Sequence, residues 1–118
     1  NHLSDCTKEL LLPEKCPNSD PSWFGFLLTC KENTDRKHVV SYIEEHGIQT
    51  RMLFAGNLTR HPCFNQMRQT GRGYRISGDL KTTDRIMRDS FWVGVYPGMT
   101  DEMLDYMAKT IREAVRHE

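Results

Sequence analysis

Apolar residues in this chain come in short bursts between charged, proline-rich and glycine-rich stretches, and the spacing within each burst predicts an element. From Ser22 to Cys30 both odd and even positions are apolar, including Trp23, Phe24, Phe26, Leu27 and Leu28. That is the pattern of a strand covered on two faces. A second such strand is predicted over Phe91, Trp92, Val93, Gly94, Val95 and Tyr96. Between them, Ile48 to Phe54 alternates: Ile48, Thr50, Met52 and Phe54 share one face, Gln49, Arg51 and Leu53 the other.

Helices are predicted where the period lengthens. Asn33, Thr34 and Asp35 offer a cap for a helix whose stripe holds Val39, Val40 and Ile43, with Gly47 as terminator. Thr82, Thr83 and Asp84 open another helix, carrying Ile86 and Met87. Thr100 caps a last one, with Asp101 and Glu102 against its N-terminal dipole and Met103, Met107, Ile111 and Ala114 as its buried stripe. Residues 1–20 read as the end of a linking helix, Leu10 to Leu12 stopping at Pro13, followed by a linker. Residues 55–79 read as loop with a short helical turn after Pro62, and Gln69 to Gly73 as its most mobile part.

The order strand-helix-strand-loop-helix-strand-helix predicts an α+β domain over 21–118: a small, mostly antiparallel sheet with helices packed on one face. Strands apolar on both faces then require a cover for the second face. A missing larger domain is the natural candidate, with the N-terminal helix or a second copy as substitutes.

Composition narrows the classes. The 118 residues suit one domain, and a formal net charge of zero gives no electrostatic reason to expect nucleic acid or an anionic membrane as partner. No apolar run approaches the roughly 18 residues of a membrane span, and no signal-peptide pattern is visible. The chain opens on Asn1, His2 and Leu3, as a piece of a longer protein would. Four cysteines without a C-x-x-C pair predict reduced thiols in a cytoplasm. A secreted interaction domain is the competing reading, with disulfides and a glycan on the Asn57-Leu58-Thr59 sequon.

Chemistry is sparse. Gly71-Arg72-Gly73 lacks the strand, spacing and Lys-Ser/Thr of a phosphate-cradling loop. No metal site is predicted: His61-Pro62-Cys63 has no second ligand pair, and His2, His38, His46 and His117 lie among charged residues and read as solvated. Cys6 and Cys30 have no base beside them. Each tryptophan has a glycine two residues on, which reads as packing against a small residue.

The segment from Thr50 to Pro62 differs. It ends a strand and enters a loop carrying Arg51, Asn57, Thr59 and Arg60. Arginine forks bind phosphates in bidentate fashion, and Asn and Thr suit sugar hydroxyls. Arg51, Asn57 and Arg60 are therefore the candidate substrate-binding residues. The structural alternative is that Arg51 pairs with a carboxylate and Arg60 is merely solvated.

Three motifs carry a resemblance: Ser22-Trp23-Phe24-Gly25-Phe26, Thr50-Arg51 through Gly56-Asn57-Leu58-Thr59-Arg60 to Pro62, and Phe91-Trp92 through Gly94 to Tyr96-Pro97-Gly98-Met99. Together they resemble the C-terminal region of the CDP-4-keto-6-deoxyglucose 3-dehydrases, lipopolysaccharide-biosynthesis members of the DegT/DnrJ/EryC1/StrS branch of fold-type I vitamin B6 enzymes. The likeness runs from about residue 20 to 116. It implies the small C-terminal domain of the pyridoxal-phosphate-dependent transferase fold, closing over cofactor and substrate. The implied parent uses pyridoxamine phosphate to remove the 3-hydroxyl of a nucleotide-linked 4-keto-6-deoxy sugar. A histidine replaces the cofactor lysine, electrons come from a flavin/iron–sulfur reductase partner, the parent itself holds an iron–sulfur cluster, and it forms a homodimer. The histidine, the cofactor cradle and the cluster cysteines belong to the large domain. No catalytic residue falls in this segment, which is expected to bind no cofactor and to be inactive alone. A sugar-nucleotide aminotransferase domain of the same family and a stand-alone small-molecule-binding module are the alternatives.

Overall fold

The structure, a computed structural model, describes residues 2–116. A 3-10 turn at Ser4–Cys6 leads to β1 (Leu10–Leu11), β2 (Gly25–Cys30), α1 (Arg36–Glu45) and β3 (Thr50–Met52). Two 3-10 turns, Leu58–Arg60 and Pro62–Phe64, precede α2 (Asn65–Thr70), α3 (Lys81–Asp89), β4 (Ser90–Gly94) and α4 (Asp101–Ala114). The strands form one sheet in the order β1-β2-β4-β3, every pair antiparallel.

Local chemistry sets the helix starts. The Asp35 carboxylate accepts from the Lys37 amide at 3.0 Å to cap α1, and the Thr100 hydroxyl accepts from the Met103 amide at 3.3 Å to cap α4. Register sets the core. Because partners across an antiparallel pair share a face, Phe91 lines up with Leu28 and Met52, and Val93 with Phe26 and Thr50. On this face Leu10, Leu28, Cys30, Phe91 and Val93 are buried against Val39 and Ile43 of α1 and Ala108, Ile111 and Ala114 of α4.

Three expectations are corrected. Residues 1–20 do not end a helix: the three-leucine run supplies an edge strand, with Leu10 opposite Cys30 and Leu11 opposite Thr29. Alternation serves this edge, sending Leu10 into the core and leaving Leu11 exposed, and Pro13 follows the strand, where it takes no rung from the ladder. The middle strand stops at Met52 instead of Phe54, because Phe54 adopts φ +48° and Gly56 φ +62°, which turns the chain off the sheet. Met103 is half-exposed in the first turn of α4, near Tyr96, and the buried stripe falls on Ala108, Ile111 and Ala114, with Met107 partly buried. The histidines read as solvated are exposed where described, His2 bonding Asp105 at 3.0 Å, His38 and His46 at the surface, with His46 stacked on Tyr42 at 4.1 Å; His117 lies outside the described residues.

The N-terminal segment does fold back, but onto the helical side. Leu3 and Cys6 join the core, and Arg112 and Arg116 of the C-terminal region both bind the Asp5 carboxylate at 2.8 Å. The other sheet face, carrying Leu27, Thr29, Ser90, Trp92 and Arg51, gains no cover from it. There the Trp92 indole lies across Gly25, where a Cβ would come within 2.0 Å of its ring. The glycine that matters to Trp92 is thus on the neighbouring strand, not two residues on. Phe24 tilts against Trp92, ring centres 5.1 Å apart, and is itself 80% exposed.

Candidate functional site

The chain leaving β3 is held against α3 by one carboxylate. Asn57 is 2% exposed, and both ends of its amide are used internally. Its Oδ1 accepts from the Thr59 amide at 3.1 Å and the Thr59 hydroxyl at 2.8 Å, capping the Leu58–Arg60 turn. Its Nδ2 donates to Asp84 at 2.6 Å. Arg60 grips the same carboxylate with two parallel bonds, Nε to Oδ1 at 3.2 Å and Nη2 to Oδ2 at 2.7 Å. Packing follows the polar clamp. Gly56 passes so close to Met87 that a Cβ would come within 2.4 Å of it, and the Asn57 amide points at the Met87 sulfur at 3.3 Å. The far side of the loop is fixed by Arg68, which donates to the carbonyls of Thr59 and His61, and by His61, whose Nε2 lies 2.6 Å from the Ala55 carbonyl.

Of the three candidate residues, Asn57 and Arg60 are therefore brought together and Arg51 stands apart. Arg51 is exposed on the face opposite Met52, in register with Trp92, as period-two alternation requires. Its guanidinium donates to the Thr50 carbonyl at 2.9 Å and is in no ion pair among the described residues. The structural alternative is reversed: Arg60, not Arg51, meets a carboxylate. Asp84 is the residue that sequence reasoning missed. An aspartate in the first turn of a helix reads as a capping charge, and nothing local announces partners 24 and 27 positions away.

Arg60 first, and Asn57 second, hold the Asp84 carboxyl down at about 2, from an ordinary 3.8. With the folded value below the unfolded one, the ionised group favours the fold above about pH 4, and that contribution is lost as pH falls through about 4 to about 2. Asp5, bonded chiefly by Arg112, and Asp79, bonded chiefly by the Lys81 amide, are lowered too. An acid titration of thermal stability should therefore show a loss over that window which Asp84→Asn reduces without abolishing. A variant curve parallel to wild type would show that the clamp does not favour the fold.

The apolar hollow beside α4 does not fit a pyridoxal phosphate site. It is lined by Phe26, Val93, Leu104, Met107 and Ile111, and its one polar side chain, His2, is bound to Asp105. It offers neither a cradle for a phosphate nor a group to meet the pyridine ring.

The family model described as the DegT/DnrJ/EryC1/StrS aminotransferase family matches residues 1–112. The chain is 48% identical over 113 residues to the lipopolysaccharide biosynthesis protein RfbH of Salmonella typhimurium, covering 94% of this chain and 25% of that protein. It is also 48% identical over 108 residues to the dTDP-4-dehydro-2,6-dideoxy-D-glucose 3-dehydratase of Saccharopolyspora spinosa, covering 90% of this chain and 22% of that one. The chain thus spans about a quarter of the length of these curated relatives. Among solved structures it superimposes on the E. coli GDP-4-keto-6-deoxy-D-mannose-3-dehydratase with bound hydrated PLP, with a TM-score of 0.70 and 20% identity over 93% of this chain and 28% of that one. At that identity the match establishes the shared fold.

Proposed function

The chain belongs to the DegT/DnrJ/EryC1/StrS aminotransferase family, and we propose that it is the substrate-closing C-terminal domain of a nucleotide-sugar 3-dehydrase. In this reading residues 21–118 form the closing domain together with the stretch before them, which supplies the edge strand Leu10–Leu11 and the core residues Leu3, Cys6 and Leu10. The parent removes the 3-hydroxyl of a CDP-4-keto-6-deoxyhexose in dideoxysugar biosynthesis for lipopolysaccharide. The carrying observation is 48% identity, over 90% of this chain, to a protein named as a sugar-nucleotide 3-dehydratase. The likeness to RfbH supports the lipopolysaccharide setting.

In this reading the cofactor, pyridoxamine phosphate, would be held by a large domain outside these residues and would supply amine chemistry at the substrate's ketone. This chain's residues bind and enclose. Arg51 and Arg60 offer guanidinium edges to phosphate or sugar oxygens, and Asn57 serves that edge from behind by holding the loop. The partly exposed sheet face with Leu27 and Trp92 lies against the large domain and helps exclude water. A flavin/iron–sulfur reductase partner, a cluster in the parent and a homodimer complete the reading, and the resemblance alone implies them. A cytoplasmic setting belongs to the same reading, and Asn57 bears only on the glycan of the secreted alternative. The Nδ2 that a glycan would occupy is buried and donates to Asp84.

The test is product analysis with the full-length protein, pyridoxamine phosphate, a reductase and CDP- and dTDP-linked 4-keto-6-deoxy sugars. Deoxygenation releases the 3-hydroxyl as water and takes an electron pair from the reductase, so the expected product is lighter by one oxygen atom. A 4-amino product that keeps its 3-hydroxyl, formed with glutamate as amine donor, would establish the aminotransferase reading instead.

A further inference from the structure

The segment from Arg51 to Arg75 has a charge pattern unlike the rest of the chain. It carries five arginines and neither an acidic residue nor a lysine, although the whole chain is neutral. Of the five, only Arg60 meets a carboxylate among the described residues. Arg68 is turned inward onto loop carbonyls, while Arg51, Arg72 and Arg75 are exposed. A surface rich in guanidinium and free of lysine suits an oriented anion better than diffuse attraction. Phe54 and Leu58, both exposed, flank it with apolar surface.

Within this segment Arg60 is unusual in being fixed. Its Nε and Nη2 are both engaged by Asp84, so the side chain is held by a fork, yet it remains 60% exposed and Nη1 is in no hydrogen bond to the described residues. An exposed ion pair alone contributes little to folding. This one is backed by a buried asparagine on the same carboxylate and by Met87 beneath Gly56. The arrangement holds one guanidinium in place before any ligand arrives.

We infer that Asp84 is a positioning residue: it holds Arg60 so that the free edge of the guanidinium meets a phosphate of a nucleoside diphosphate. This rests on the proposed function, and adds which residue aims the arginine and which part of the substrate it meets. Arg68 and Arg75, which line one hollow with Leu58 and Thr59 beside Arg60, add positive charge there, so the carboxylate behind Arg60 orients it without repelling the phosphate.

The experiment measures equilibrium binding of CDP, dTDP and GDP, and of the matching nucleosides, to the full-length protein. For the nucleotide that wild type binds tightest, Asp84→Asn and Arg60→Ala should each weaken the diphosphate about tenfold. Neither should change binding of the nucleoside. The double variant should lose no more than Arg60→Ala alone, because Asp84 acts through Arg60. Arg60→Lys, which keeps the charge and the fold but not the fork, should reproduce the loss. Additive losses in the double variant, or full diphosphate affinity in Asp84→Asn, overturn the inference while leaving a deoxygenating parent in place. If wild type binds none of the three diphosphates, the inference falls with the reading it rests on.

Discussion

Phe91→Ala should cost the chain about 3–5 kcal/mol of stability, the range for deleting a fully buried aromatic ring. Phe91 is 0% exposed and sits on β4, the strand paired on both sides. Its face partners are Leu28 and Met52, and the helices above contribute Val39, Ile43 and Ile111 to the same cluster. Few neighbours can close the gap, because β4 is fixed by ladders to both β2 and β3 and cannot shift without breaking them. Urea unfolding gives the measurement: the midpoint should fall with little change in slope. Leu11→Ala, on the half-exposed edge strand, should cost far less and serves as the control. A Phe91→Ala loss no larger than that of Leu11→Ala would place the core elsewhere.

Much of this fold can be read along the chain, and the parts that cannot have a common cause. The strands β2 and β4 and the helices α1 and α4 announce themselves because period and cap lie within one short window: Asp35 two residues before the amide it caps, Thr100 three before its own. The side of the sheet that Arg51 occupies is legible too, since alternation decides it without any partner. β1 is not legible, because two residues make a strand only when a neighbour distant in the sequence presents a free edge; Leu10 and Leu11 are extended because Cys30 and Thr29 pair with them. The burial of Asn57 escapes for the same reason. A polar residue in a loop reads as exposed, and only the distant Asp84 makes its burial possible, since a buried amide needs its bonds satisfied. The same remoteness hid the partner of Arg60.

Arg51 is the place where legible geometry and proposed chemistry meet, and its replacement should have the largest effect on function. In the full-length protein, Arg51→Ala should lower kcat/KM for the nucleotide sugar by about 30- to 150-fold, equal to about 2–3 kcal/mol, the usual worth of a hydrogen bond to a charged group. The side chain is exposed, its guanidinium bonds the Thr50 carbonyl, and no carboxylate is left unpaired by its removal. Thermal stability should accordingly stay close to wild type, since the neighbouring buried contacts of Thr50 with Glu44 lie on the other face of the strand. Arg51→Lys separates charge from shape: a phosphate held by a fork loses most of its binding, while one attracted by charge alone keeps it. Normal kinetics with an early melt would make Arg51 a structural residue of the sheet edge. The binding surface would then begin at Arg60, on the loop that Asp84 holds.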